Sequence, residues 1–193
     1  MTLHEVLEPL AKLDYRLAKA AVDAGINYPA VNAVAVFCAQ YLIGFFPLTL
    51  IYLWMNPEKA GKHHGAQKAV IIAVFAVVFS LAVKSGIEFF YLRDRPFVAH
   101  LDIIAAITRI DRSSSFPSAH TLSAFAIASS IWLSGYHRLG KVMLGLAALV
   151  GLGRIFVGVH YPLDVLAGAI IACFVSWLLH RESSSLKRFL PNH

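Results

Sequence analysis

Residues 69–92 read AVIIAVFAVVFSLAVKSGIEFFYL. Ala69 to Val83 carry no charge, and Lys84 and Glu88 are the only charged residues between there and Leu92. A helix needs about 20 mostly apolar residues to cross the roughly 30 Å hydrocarbon core of a bilayer. This stretch is long enough, and it has company. Comparable runs occupy about 31–55, 119–136, 140–159 and 162–180. The expected fold is therefore all-α: a polytopic membrane helix bundle with about five transmembrane helices.

Composition points the same way. The chain has 193 residues, 58% hydrophobic and 15% charged. An ordinary soluble domain is roughly 45–50% apolar and about 25% charged. One membrane-embedded domain over 1–193 is expected, with no internal repeat and no low-complexity tract. Residues 1–25 carry charges throughout and lack the apolar core of a signal peptide, so the first span is expected to direct insertion. Cys38 and Cys173 each sit inside an apolar run and read as small hydrophobes rather than a disulfide framework. The net charge of +6 comes from basic residues gathered at the ends of apolar segments. That pattern orients a membrane protein and does not call for a nucleic-acid partner.

Residues 3–24 differ from the spans. Leu3, Val6, Leu10, Leu13, Leu17 and Ala21 recur every three or four positions, while Glu5, Glu8, Lys12, Asp14, Arg16, Lys19 and Asp23 fill the other face. This is the pattern of an amphipathic helix lying on a membrane surface or against the bundle. Pro9 is read as marking its first turn. The resulting division is an interfacial helix over 1–28, a transmembrane catalytic core over 30–180 and a cytoplasmic tail over 181–193.

Lys and Arg set the orientation. Lys59, Lys62 and Lys68 follow the first span; Arg138 and Lys141 separate the third from the fourth; Arg181, Lys187 and Arg188 follow the fifth. With five spans these positions share one side, and the positive-inside rule makes it cytoplasmic. The amino terminus, the 93–118 loop and the turn near 160 fall on the other side.

That other side collects three polar clusters. Arg93 and Arg95 follow the second span, Ser118 and His120 open the third, and Arg154, His160 and Asp164 straddle the turn between the fourth and fifth. Charge at membrane depth is costly and marks function, and Arg154 interrupts an otherwise apolar run. Paired arginines hold a phosphoryl group through planar, forked hydrogen bonds. Ser118, at a helix start, adds a hydroxyl and backbone N–H groups of the kind that bind anions. Two histidines can supply a nucleophile and an acid. The spacing from His160 to Asp164 puts a carboxylate one helical turn from an imidazole. Ser113, Ser114 and Ser115 read as loop. Trp54, Trp132 and Trp177 read as interface anchors, and Gly151, Gly153 and Gly158 as places where helices approach closely. His63 and His64 lie in the basic loop, and Asp111 and Arg112 in the 93–118 loop; none of the four is assigned to the site.

RDRPF (93–97), FPSAH (116–120) and GRIFVGVHYPLD (153–164) together resemble the three signature segments of the type 2 phosphatidic acid phosphatase superfamily. Within it, FYLRDRPFVAH and HYPLDVLAG look similar to the bacitracin-resistance type of undecaprenyl diphosphatase. The resemblance implies that His160 attacks phosphorus to form a phosphohistidine and that Asp164 orients it. It implies that His120 protonates the leaving oxygen and then activates water, and that Arg95, Arg154 and Ser118 hold the phosphate. It also implies removal of the terminal phosphate of undecaprenyl diphosphate, outside a bacterial plasma membrane. No dense carboxylate cluster offers to hold a metal pair, so metal-independent hydrolysis without a cofactor is expected.

Two departures stand out. Ala119 occupies a position where many members of the superfamily carry Gly. Glu88 occupies the position where many carry a phosphate-binding Lys. Lys84 lies one turn earlier, and Arg93, two residues before Arg95, is the candidate replacement. Glu88 has three readings: a partner for Arg93, a partner for Lys84, or a polar helix residue without an active role. His100 has two, contact with a second phosphate or a place lining the loop. Among functions, a phospholipid monophosphatase acting on phosphatidic acid or phosphatidylglycerol phosphate is the alternative substrate reading. A non-catalytic anion- or lipid-binding membrane protein would use the arginines but would not need two histidines and an aspartate.

Overall fold

The computed structural model describes residues 3–56, 65–106 and 113–189. Lys59, Lys62, His63, His64, Asp111 and Arg112 lie outside the described residues. Every regular element among them is helical: α1 (Leu3–Asn27), α2 (Pro29–Gln40), α3 (Phe45–Met55), α4 (Gly65–Phe90), the single turn α5 (Pro96–Ala99), α6 (Ala119–Leu133), α7 (His137–Phe156) and α8 (Pro162–Phe189). Among the described residues, four spans are long and apolar enough to cross a membrane: Pro29–Met55, Gly65–Phe90, His137–Phe156 and Pro162–Ser183. Ala119–Leu133 is a shorter apolar helix beside them.

The first span is broken rather than continuous. A short 3-10 turn, Leu42–Gly44, separates α2 from α3. Pro47 is the cause: it has no N–H to give Ile43, and its ring crowds that carbonyl, so an α-helix cannot run through unbroken. Placed in the first turn of α3, where no intrahelical donor is required, the proline is tolerated.

α6 forms the centre and packs on α4, α7 and α8. Ala124, Ala126, Ala128 and Ile131 are wholly buried along it. Small side chains let the neighbouring helices close in, as membrane helices require when no hydrophobic effect drives them together. Gly153 carries this furthest on α7. A Cβ there would lie 2.8 Å from the Ala39 amide nitrogen and 2.9 Å from the Ala35 carbonyl oxygen of α2. Gly158 serves the turn instead, with φ at 76°, a conformation that favours glycine. The outer faces are apolar and open: Val74, Phe75, Val78 and Phe79 on α4 are exposed, as lipid-facing side chains are.

At 15 residues α6 rises about 22 Å, less than a bilayer core. Its first turn therefore starts below the ends of its neighbours. Lys84, six residues before the end of α4, lines the same cavity as Ala119 and His120. The non-helical 113–118 segment leads to that level, with Ser114, Ser115, Pro117 and Ser118 buried in protein, the condition under which irregular backbone is tolerated at depth.

The two ends of the bundle are distinct. The Lys68 ammonium donates to the Ser183 carbonyl at 3.5 Å, tying the start of α4 to the last turns of α8. Arg138 and Lys141 open α7 at the same end, and Trp54, Trp132 and Trp177 lie near it. α1 lies at the opposite end, with the polar clusters. Its packing face is not the leucine stripe. Asp14, Ala18, Val22 and Gly25 are buried, whereas Leu10, Leu13 and Leu17 are exposed and free to enter the membrane interface. The assignment of Asp14 to the solvated face is thus corrected. Pro9 lies inside the helix, which begins at Leu3.

Candidate functional site

A cavity of about 150 Å3 opens where α4, α6 and α7 meet the two irregular segments. Lys84, Arg95, Ser113, Ser114, Ala119, His120, Arg154 and His160 line it. At ~30 Å3 per water this is room for roughly five waters.

His160 sits in the turn between α7 and α8, 2% exposed. Its Nδ1 lies 2.8 Å from the Ser115 carbonyl oxygen. A carbonyl can only accept, so Nδ1 carries the proton and Nε2 presents its lone pair. That Nε2 lies 3.3 Å from Arg95 Nη1, on the cavity side. Burial is the main cause that pushes the imidazole down to about 4, with Arg154 and Arg95 adding to it and Asp164 opposing. A base whose pKa is lowered is neutral above that value and loses its lone pair only as pH falls through it. In protein labelled with 15N-histidine, His160 is expected to stay in the neutral Nδ1–H form at pH 5.5. Protonation of both ring nitrogens at that pH would contradict it.

Arg95 follows α4 and is 5% exposed. Its Nε donates to the Ser113 carbonyl and its Nη2 to Ser113 Oγ, both at 3.1 Å, while Nη1 donates to the Val159 carbonyl at 3.2 Å. Three anchors fix the plane of the guanidinium against the cavity. Arg154, in the last turn of α7, is 7% exposed and reaches the Ala39 carbonyl at 3.4 Å. The close passage at Gly153 brings that carbonyl within range.

Asp164 is wholly buried in the first turn of α8. Its Oδ2 lies 3.7 Å from His160 Nδ1, so it acts on the ring through its field and not through a direct hydrogen bond. The same oxygen accepts from the Tyr161 amide at 2.8 Å and from the Ser115 hydroxyl, and Oδ1 accepts from Arg93 Nη1 at 2.6 Å. The direct orienting bond to His160 comes from the Ser115 carbonyl, a contact the sequence reading missed by taking the three serines as loop. Ser113, Ser114 and Ser115 are loop, but they hold Arg95, line the cavity and fasten Asp164.

Two expected phosphate contacts are placed elsewhere. Arg93 turns away from the cavity. It bridges Asp164 and Asp14, each at 2.6 Å, and lies 3.9 Å over the Tyr161 ring. Two buried carboxylates claim it, since a buried charge must be paired. Ser118 is fully buried. Its amide donates to the Asp164 carbonyl at 3.1 Å, and its hydroxyl accepts from Thr121 Oγ1 at 3.1 Å. The α6 terminus still meets the cavity at Ala119 and His120, where first-turn amides have no intrahelical acceptor. Lys84 lines the cavity in the place sought for Arg93, and Glu88 pairs with it. His100 lines the loop, 4.1 Å from the Tyr15 ring. Among the described residues no three His, Cys, Asp or Glu side chains converge to hold a metal ion.

The arrangement combines a neutral imidazole lone pair at the cavity wall beside Arg95, a second imidazole and three cationic side chains around one small cavity. That is a phosphoryl-transfer constellation. The PAP2 superfamily model matches residues 69–187. The chain is 29% identical to undecaprenyl-diphosphatase BcrC of Bacillus subtilis (strain 168), over 92% of this chain and 88% of that protein. It is 35% identical to the bacitracin transport permease protein BcrC of Bacillus licheniformis, over 80% and 75%. Its fold matches the crystal structure of Aquifex aeolicus LpxE with a TM-score of 0.67 and 25% identity, over 86% of this chain and 93% of that one.

Proposed function

Because the chain belongs to the PAP2 superfamily and is a membrane phosphatase, we propose that it removes the terminal phosphate of undecaprenyl diphosphate, giving undecaprenyl phosphate. The observation that carries the reading is the pairing of a proton-free His160 Nε2 with the Arg95 guanidinium at the cavity wall. The similarity to the Bacillus undecaprenyl-diphosphatase favours this substrate over a phospholipid monophosphate.

In this reading His160 Nε2 attacks the terminal phosphorus in line with the bridging oxygen. The P–O bond breaks and undecaprenyl phosphate leaves, its oxygen protonated by His120. Water then enters, His120 takes its proton, and attack on the phosphohistidine releases inorganic phosphate and restores His160. Arg95, Arg154 and Lys84 hold the equatorial oxygens, where charge is spread in a loose transition state. Lys84 replaces the expected lysine from one turn earlier, and Glu88 anchors its ammonium. Arg93 and Ser118 act behind the site, on Asp164. The lone pair of His160 stays free of a proton because burial and the two arginines hold the ring neutral, and Asp164 opposes them by favouring the cation that forms on phosphoryl transfer.

The lipid reaches the site from the membrane. In this reading the phosphate sits at the start of α6, just inside the helix ends, while the polyprenyl chain stays in the bilayer. With the basic end cytoplasmic, the site faces outward across a bacterial plasma membrane. The test is phosphate release in detergent with chelator present, from undecaprenyl diphosphate, phosphatidic acid and phosphatidylglycerol phosphate. The diphosphate is expected to give a kcat/KM at least about 10-fold above either phospholipid. A preference for a phospholipid would replace the substrate and keep the chemistry. No release from any of them would overturn both.

A further inference from the structure

Asp14 is out of character for α1. It opens a buried stripe that continues through Ala18, Val22 and Gly25, and it is the one charged side chain of that stripe, 2% exposed. Both carboxylate oxygens are engaged with the catalytic half of the molecule. Oδ2 accepts from Arg93 Nη2 at 2.6 Å, and Oδ1 accepts from the Leu163 amide at 2.9 Å, in the first turn of α8. The other guanidinium nitrogen of Arg93 is 2.6 Å from Asp164 Oδ1. One cation therefore joins two buried carboxylates. The second of them lies 3.7 Å from His160.

The charge count gives this a consequence. With Asp14 present, the trio keeps one negative charge in excess, next to an imidazole that becomes cationic as it takes on a phosphoryl group. Without Asp14, Arg93 neutralises Asp164, and that excess is gone. Arg95 and Arg154 already face His160 with positive charge, so Asp164 is the opposing field. In so buried a place the loss is poorly screened. Asp14 also fixes the start of α8 through Leu163, one residue before Asp164.

We propose that Asp14 is a positioning residue for the reaction, holding Arg93 and the α8 terminus so that Asp164 stays aimed at His160 and incompletely neutralised. The proposal makes the amino-terminal helix part of the catalytic apparatus, and it rests on the reading of His160 as nucleophile.

The test is steady-state hydrolysis of undecaprenyl diphosphate by the full chain and by Asp14→Asn, Asp14→Glu, Arg93→Gln and the Asp14→Asn/Arg93→Gln double variant, with His160→Ala alongside. Asp14→Asn is expected to lower kcat about 10-fold with KM within about twofold, the signature of an interaction made in the transition state. Asp14→Glu, which keeps the charge on a longer arm, is expected to retain more kcat than Asp14→Asn. Adding Arg93→Gln to Asp14→Asn restores the excess charge at Asp164 and is expected to recover kcat by about threefold, a non-additive coupling. Unchanged kcat in Asp14→Asn would overturn the proposal. So would a loss that Arg93→Gln deepens, or that Asp14→Glu exceeds, since either would point to packing alone. Activity in His160→Ala would overturn the nucleophile reading and this inference with it; an inactive His160→Ala beside a fully active Asp14→Asn would overturn this inference alone.

Discussion

His160→Ala is expected to lower phosphate release on the order of 10^4-fold, the scale seen when a nucleophile is removed from an otherwise intact site. The substitution deletes the lone pair that faces Arg95, while Arg95, Arg154 and Lys84 remain to bind the substrate. KM should therefore change little. The decisive readout is the covalent intermediate. Acid quenching within one turnover of substrate labelled in its terminal phosphate should leave label on the intact protein and none on His160→Ala. His120→Ala should gain label more slowly, because the leaving oxygen lacks its acid, and should then hold it, because the second step lacks the group that activates water. Label on His160→Ala would assign the nucleophile to another residue.

Arg95→Lys should be nearly as damaging, with kcat/KM falling about 10^2- to 10^3-fold, as when one donor to the developing charge is lost. The change preserves charge but not geometry. The guanidinium reaches the Ser113 carbonyl, Ser113 Oγ, the Val159 carbonyl and His160 Nε2 from one rigid plane, at 3.1 to 3.3 Å. An ammonium offers three donors from one point and cannot span them. The Ser113 and Val159 carbonyls would then lose their donor, so the serine loop should also loosen. Arg138→Lys, at the basic end of the bundle, is the control and should leave kcat/KM within about twofold. Equal effects of the two substitutions would remove Arg95 from the site.

Both expectations concern residues that the sequence makes conspicuous. Apolar runs fix the spans, and an odd number of spans carries Arg95, His120, Arg154, His160 and Asp164 to one end. The structure brings all five together there. Arg93 shows where such reading stops. Its position two residues from Arg95 suggested a second phosphate fork, and its side chain instead joins two carboxylates. Ser118 shows the same: a helix-start serine signals anion binding in general, but its amide already serves the Asp164 carbonyl.

What the sequence determined by itself was the membrane bundle, its likeness over most of its length to known phosphatases, and the end at which the chemistry gathers. These rest on local quantities, namely the length of apolar runs, loop charge and motif spacing, which need no knowledge of neighbours. Only the tertiary structure decided which side chains face the cavity. It chose Lys84 over Arg93 at the cavity wall, made the Ser115 carbonyl the partner of His160 Nδ1, and buried Asp14 where the pattern of α1 had put it in water. Those choices depend on which groups compete for each buried charge or donor. The competitors here lie 45 to 149 residues apart in the chain. A helical period carries no information about such pairs, because it fixes a residue's direction from its own axis and not what another helix places there.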